Sequence, residues 1–137
     1  MRFGPPVLIL LAATVAVSLT INSMNADDKQ SSKKQERLLR HVVLFNFKDD
    51  ATEQDVAKIV EAFQQLPKRI SQIHSFEYGI DNSPEGLADG FTHCFLVTFA
   101  NEADREAYLP HPEHLKFVDI LKPQIERVLV IDYWTQQ

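Results

Sequence analysis

The sequence predicts an α+β domain over residues 40–137, built from four strands and two helical units in the order β-α-β-β-α-β. Three observations predict it: four short runs rich in β-branched and aromatic residues, two segments with apolar residues at helical spacing, and loop-forming residues between them. This order folds most simply into the ferredoxin-like arrangement. That arrangement is a four-stranded antiparallel sheet with both helical units on one face.

The first half of the domain is predicted to contain a strand, a helix and a second strand. Residues 41–47 alternate as a strand of β-branched and aromatic residues. Thr52 and Asp55 resemble a capping box, and the apolar residues that follow at spacings of three and four predict an amphipathic helix. We expect that helix to end before Pro67, because proline cannot donate to a helix ladder. Residues 73–80 alternate again, as the second strand.

The second half repeats the pattern with an interrupted helix. Residues 81–90 are rich in turn-forming residues and are predicted to form a loop. Residues 92–99 are predicted to form the third strand. Asn101 is placed to cap a short helix. A second helix is expected to begin near Pro112, because proline is well suited to the first helical turn. Residues 128–134 form the last predicted strand.

The chain before the domain differs in composition. Residues 1–26 contain one basic side chain, Arg2, then an almost wholly apolar run over residues 7–17 and a small residue, Ala26, before the first acidic residues. This pattern predicts a signal peptide or an N-terminal anchor, because the apolar run is short for a span of about 20 residues. Residues 27–39 read as a polar linker. We therefore expect an exported protein, periplasmic or extracellular, that is membrane-attached only if the segment is uncleaved.

Charge and cysteine content restrict the function classes. Of 14 basic side chains, removal of Arg2 with the signal leaves 13 against 19 acidic ones, and this net negative charge disfavours nucleic-acid binding. Cys94 is the only cysteine, so no intramolecular disulfide supports the domain. Its position in an apolar run predicts a buried, unreactive thiol.

The segment that joins the two predicted helices brings one phenol and two imidazoles together. Tyr108 is expected to end the first helix, and Pro110 and Pro112 restrict the backbone between the helices. His111 is expected at the N-cap of the second helix with its ring partly exposed. His114 begins the apolar stripe of that helix, so its ring should point inward.

These residues suggest general acid–base chemistry or ligand binding. An imidazole can take a proton from a carbon next to a carbonyl, and a phenol can donate a hydrogen bond to the enolate oxygen. We therefore predict Tyr108 and His114 as catalytic residues, with His41, Phe45 and His111 around a small apolar pocket. The alternative is structural: Tyr108 packs on the sheet and His114 bonds a backbone carbonyl. No ligand spacing predicts a metal, and no cofactor is expected.

The sheet face that does not contact the helices would be exposed to solvent in a monomer. Apolar residues of the first and last strands should be exposed there, with Tyr133 or Trp134 beside them. A patch of this kind on a monomer usually marks an interface. The sequence therefore predicts a homodimer in which two sheets pack face to face.

Four motifs in order resemble the stress-responsive dimeric A/B (α/β) barrel domain family, Dabb: HVVLFNFK at 41–48, SPEGL at 83–87, YLPHPEH at 108–114 and VIDY at 130–133. The resemblance covers nearly the whole domain and implies a dimeric α/β barrel. Most members of this family have no assigned activity. This chain departs from the pattern through its export signal.

The resemblance also implies roles for individual residues. A plant polyketide cyclase of the family performs an aldol cyclisation with a tyrosine and a histidine and without a metal, and by motif position these fall on Tyr108 and His114. A further pocket histidine falls on His41. Three alternatives stay open: a protein that binds a small hydrophobic ligand, a cyclase-like lyase, or a monooxygenase-like enzyme of the same superfamily.

Overall fold

Residues 37–136, which the computed structural model describes, form a four-stranded antiparallel sheet and three α-helices. The elements are β1 (Leu39–Phe47), α1 (Glu53–Arg69), β2 (Ser75–Ile80), β3 (His93–Phe99), α2 (Glu102–Tyr108), α3 (Pro112–Leu121) and β4 (Ile125–Trp134). The strand order is β2-β3-β1-β4, so β1 pairs antiparallel with both β3 and β4. The predicted ferredoxin-like α+β fold is confirmed.

The predicted signal peptide or anchor, 1–26, and most of the predicted linker, 27–39, lie outside the described residues, and export of the chain stays a prediction. The first strand begins at Leu39, at the very end of that linker. Within residues 37–136, no helix combines the length and the apolar character needed to cross a membrane.

Helix α1 begins with the predicted capping box. The Thr52 hydroxyl accepts a hydrogen bond from the Asp55 backbone N–H at 3.1 Å, and the Asp55 carboxylate accepts one from the Thr52 backbone N–H at 3.4 Å. The side-chain hydrogen bond from Thr52 is the main reason that the pKa of Asp55 lies below its usual range. The two side chains thereby satisfy backbone donors that would otherwise lack partners at the start of the helix.

The predicted end of α1 is wrong. Pro67 lies inside the helix, which continues to Arg69. A proline this close to the C-terminus removes only one hydrogen bond, and the next turn is closed by the Ile70 backbone N–H, which donates to the Leu66 carbonyl at 2.8 Å. Leu66 and Ile70 are both buried, so packing on the sheet holds the last turn in place.

The interruption of the second helical unit is confirmed. The Asn101 side chain accepts a hydrogen bond from the Asp104 backbone N–H at 2.9 Å, and α2 ends at Tyr108. His111 is the N-cap of α3, and its Nδ1 accepts from the Glu113 backbone N–H at 3.2 Å. Pro112 occupies the first turn of α3. The two helices therefore meet at the segment that carries the candidate site.

The core lies between the helices and one face of the sheet. Residues of β1 alternate between this buried face and the opposite one, as the strand period requires. Phe63 of α1 is at the centre, with ring centroids 4.6 Å from Phe95 and 4.5 Å from Phe117. Phe45 of β1 lies against the same group. The aromatic cluster fixes the helices above the sheet.

The opposite face of the sheet is open, and two expectations about it are corrected. Tyr133 pairs with Arg40 on this face as expected, but Trp134 pairs with Leu39 and packs against the core, because neighbouring strand residues point to opposite faces. Cys94 is exposed rather than buried. It precedes the buried Phe95, so its side chain points to the open face.

Candidate functional site

A cavity of about 270 Å³ lies between the sheet and the helical layer. This volume is at the lower end for small-molecule sites, which are usually about 300–1,000 Å³. Its walls are largely aromatic and aliphatic and include Phe45, Phe63, Phe117, Leu121, Val128 and Val130. Val128 and Val130 belong to the edge strand β4 and are about half exposed, so the cavity is open along this edge.

The structure brings four of the five predicted site residues together at this cavity. His41, Phe45, Tyr108 and His114 all line it. His111 is not among the lining residues: it serves as the N-cap of α3, with its Nδ1 occupied by a backbone N–H. The polar groups of the cavity therefore come from His41, Tyr108 and His114, with Lys122 at the margin.

Tyr108 is almost completely buried at the end of α2, with 1% of its surface exposed. Its ring centroid lies 4.3 Å from that of His114 and 6.0 Å from that of His41. Burial raises the pKa of Tyr108 far above its usual value, so the side chain stays a neutral phenol. Tyr108 lines the cavity, where a phenol hydroxyl can donate a hydrogen bond to a ligand.

The ring of His114 is held by a backbone carbonyl, which is the contact that the structural interpretation of this residue predicted. Its Nδ1 lies 2.8 Å from the Leu109 oxygen. A carbonyl only accepts, so Nδ1 carries the proton and Nε2 of the neutral ring carries a lone pair. Desolvation is the main cause that lowers the pKa of His114; His41 and His111 lower it further, and the Leu109 carbonyl partly opposes them. His114 is therefore neutral at pH 7 and able to accept a proton.

The ring of His41 is held by Asp132, which is bound in turn by Arg105; neither residue was predicted from the sequence. Nδ1 of His41 lies 2.6 Å from one oxygen of Asp132, and Arg105 donates to the other oxygen at 2.8 Å. The sequence did contain a signal. Asp132 is the one carboxylate in the apolar run of β4, and strand alternation places it on the same face as the cavity residues Val128 and Val130.

A larger hollow of about 800 Å³ lies on the open face of the sheet, beside the loop between β2 and β3. It is lined by Cys94, and its surroundings do not favour a reactive thiol. Partial burial and the Glu77 carboxylate raise the pKa of Cys94, which disfavours the thiolate. The hollow contains neither the phenol nor the imidazoles of the candidate site, so we assign the site to the smaller cavity.

The described part of the chain contains no arrangement of side chains suited to bind a metal ion. Within residues 37–136, no group of three or more histidine, cysteine, aspartate or glutamate side chains is placed to hold an ion. His41 faces Asp132, whereas His114 faces a backbone carbonyl. Each of these two imidazoles is thus held through its Nδ1 by a hydrogen bond within the protein.

Comparison with known proteins identifies the family. Residues 39–135 match the stress responsive A/B barrel domain. The chain belongs to this family. The stress-response A/B barrel domain-containing protein HS1 of Arabidopsis thaliana is 34% identical over 95 residues, which cover 69% of this chain and 87% of HS1. Olivetolic acid cyclase of Cannabis sativa is 27% identical over 95 residues, covering 69% of this chain and 94% of the cyclase.

Solved structures of similar proteins agree with the A/B barrel assignment. The hydroxynitrile lyase of Passiflora edulis superposes with a TM-score of 0.70 at 26% identity and covers 74% of this chain and 96% of the lyase. A dimeric protein of unknown function from Bacteroides fragilis, also with a ferredoxin-like fold, gives a TM-score of 0.58 at 28% identity and covers 70% of this chain and 94% of that one. The structures similar to this chain thus include an enzyme and a protein of unknown function.

Proposed function

We propose that this A/B barrel protein binds a small hydrophobic carbonyl compound in the cavity edged by His41, Tyr108 and His114. The observation that carries the proposal is the pairing of the buried Tyr108 phenol with the neutral His114 imidazole, 4.3 Å apart between ring centroids, in a largely apolar cavity. The phenol donates to the carbonyl oxygen of the ligand, and the apolar walls hold its hydrocarbon part. The small volume favours a compound of one ring or a short chain.

The same pair supports a second candidate, lyase or cyclase chemistry without a cofactor. His114 Nε2 takes a proton from the carbon next to the carbonyl, the electrons of that C–H bond form the enolate, and Tyr108 donates a hydrogen bond to the enolate oxygen. The enolate then either regains a proton from the imidazolium, or attacks a second carbonyl to form a C–C bond, and the resulting alkoxide takes the proton from the His114 imidazolium. The names of two relatives, a cyclase and a hydroxynitrile lyase, support this candidate.

Binding is tested with two ligands of nearly the same shape, acetophenone and ethylbenzene, of which only the first has a carbonyl. We expect acetophenone to bind more tightly by about 2- to 10-fold, the effect of one hydrogen bond of about 0.5–1.5 kcal/mol. Tyr108→Phe should remove the difference, because it deletes only the donor. NMR titration measures both affinities. Equal affinities in the unmodified protein, or no binding of either ligand, would contradict the proposal.

We also propose that the protein is a homodimer in which the open sheet faces pack together. Large apolar side chains are exposed on this face, among them Leu129, Ile131 and Tyr133. A face of this size on a soluble domain is normally covered. The dimeric protein of Bacteroides fragilis supports the proposal.

A charge on the open face should separate the dimer. Ile131→Arg places a cation between the sheets, where it cannot be hydrated, so we expect a monomer by light scattering coupled to gel filtration. Ile120→Arg is the matched control, because Ile120 lies on α3 with 48% exposure against 50% for Ile131. The control should stay dimeric. A dimeric Ile131→Arg protein would show that another surface forms the interface.

A further inference from the structure

Three side chains from three elements form a hydrogen-bonded row beside the cavity. Arg105 of α2 donates to one carboxylate oxygen of Asp132 on β4 at 2.8 Å, and the other oxygen lies 2.6 Å from Nδ1 of His41 on β1. The side chains are 23%, 28% and 8% exposed, respectively. Both oxygens of the carboxylate are therefore engaged, largely away from bulk solvent.

The row determines which nitrogen of His41 carries the proton. A carboxylate that is paired with a guanidinium only accepts hydrogen bonds, so Nδ1 of His41 must donate to it. In the neutral ring the lone pair is then on Nε2, on the opposite side of the imidazole. His41 lines the cavity next to Tyr108, which places its ring within reach of a ligand there.

Arg105 has a distinct part in this arrangement. Arg105 is not among the residues that line the cavity, so it acts only through Asp132. Its guanidinium occupies the oxygen that His41 does not use and compensates the charge of the carboxylate beside an apolar cavity. Without it, the carboxylate could rotate toward solvent and release the imidazole.

We propose that Arg105 is a positioning residue: through Asp132 it holds His41 as the Nδ1–H tautomer and presents Nε2 to the ligand as a hydrogen-bond acceptor. His114 is held as the same tautomer by the Leu109 carbonyl. The cavity then offers two imidazole acceptors and one phenol donor. The role in ligand binding rests on the proposed function, whereas the tautomer is a property of the free protein.

The tautomer is measured by long-range ¹H–¹⁵N NMR of the His41 ring at about pH 8. We expect a protonated Nδ1 and an unprotonated Nε2 in the unmodified protein. Arg105→Gln should give a mixture of tautomers, and Arg105→Lys should restore the single form because it keeps the charge. Arg127→Gln is the matched control, since Arg127 pairs with Asp89 at 2.9 Å, away from the cavity.

The affinity for ligands provides a second, independent test of the role of Arg105. Arg105→Gln should weaken binding of 1-phenylethanol, whose hydroxyl can donate to Nε2 of His41, by about 2- to 10-fold, and leave acetophenone unchanged, because acetophenone has no donor. A single Nδ1–H tautomer in folded Arg105→Gln protein would overturn the inference. If the tautomer responds as expected and neither ligand binds the unmodified protein, the positioning role stands and the proposed function fails.

Discussion

Replacing His114 by alanine is expected to lower the rate of proton abstraction from a bound ketone by about 100- to 10,000-fold, the usual contribution of a general base. The reason is local. Nε2 of His114 carries the lone pair because Nδ1 is bound to the Leu109 carbonyl, and desolvation lowers the pKa of His114 so that the ring is neutral. Exchange of the methyl hydrogens of acetophenone for deuterium, followed by NMR in D₂O, measures this rate.

The pH profile of the exchange provides an independent check on the base. A base with a lowered pKa remains unprotonated below its ordinary value, so we expect the rate to fall with acid only below about pH 6.5. His74→Ala is the control, because His74 is exposed on the chain before β2 and should leave the rate unchanged. Exchange by His114→Ala at the rate of the unmodified protein would exclude His114 as the base.

The second large effect concerns stability. Phe63→Ala is expected to reduce the free energy of unfolding by about 3–5 kcal/mol, since Phe63 is 1% exposed and its ring contacts four other aromatic rings. Domains are stable by only about 5–15 kcal/mol, so this loss brings the protein close to unfolding. Urea denaturation measures it. Phe63 also lines the candidate cavity, so the same change enlarges the ligand site.

Two control variants test whether the loss of stability comes from the removal of apolar contacts in the aromatic core. Phe63→Leu retains most of the apolar contact and should cost clearly less than the alanine variant. Phe91→Ala removes a ring that lies under Arg127, outside the aromatic core, and should also cost less. If Phe63→Ala and Phe91→Ala were equally stable, the aromatic cluster could not be the centre of the core.

The elements that could be predicted from the sequence are those whose signals are local. The capping residues Thr52 and Asn101 and the first residue of α3, Pro112, act within a few residues, and each marks an observed helix boundary. Pro67 shows the limit of such signals. Its effect on a helix depends on how many turns follow it and on what the last turn packs against, which is tertiary information.

The candidate site was predictable in part for the same reason. Tyr108 and His114 are only six residues apart, so the short segment between α2 and α3 keeps them close, and the apolar stripe of α3 directs His114 inward. Asp132, the partner of His41, is 91 residues away from it, and Arg105, which binds Asp132, precedes that residue by 27 positions. The position of Asp132 in an apolar run marks it as unusual, but which side chains it contacts depends on strand register, which the sequence alone does not give.

We predict that a small carbonyl compound binds in the one cavity that His41, Tyr108 and His114 line together. Intermolecular nuclear Overhauser effects between bound acetophenone and the protein test it most directly. We predict contacts from the phenyl ring of the ligand to Phe117 and from its methyl group to the rings of Tyr108 and His114. Contacts confined to the open sheet face, such as those with Leu129, would contradict the claim.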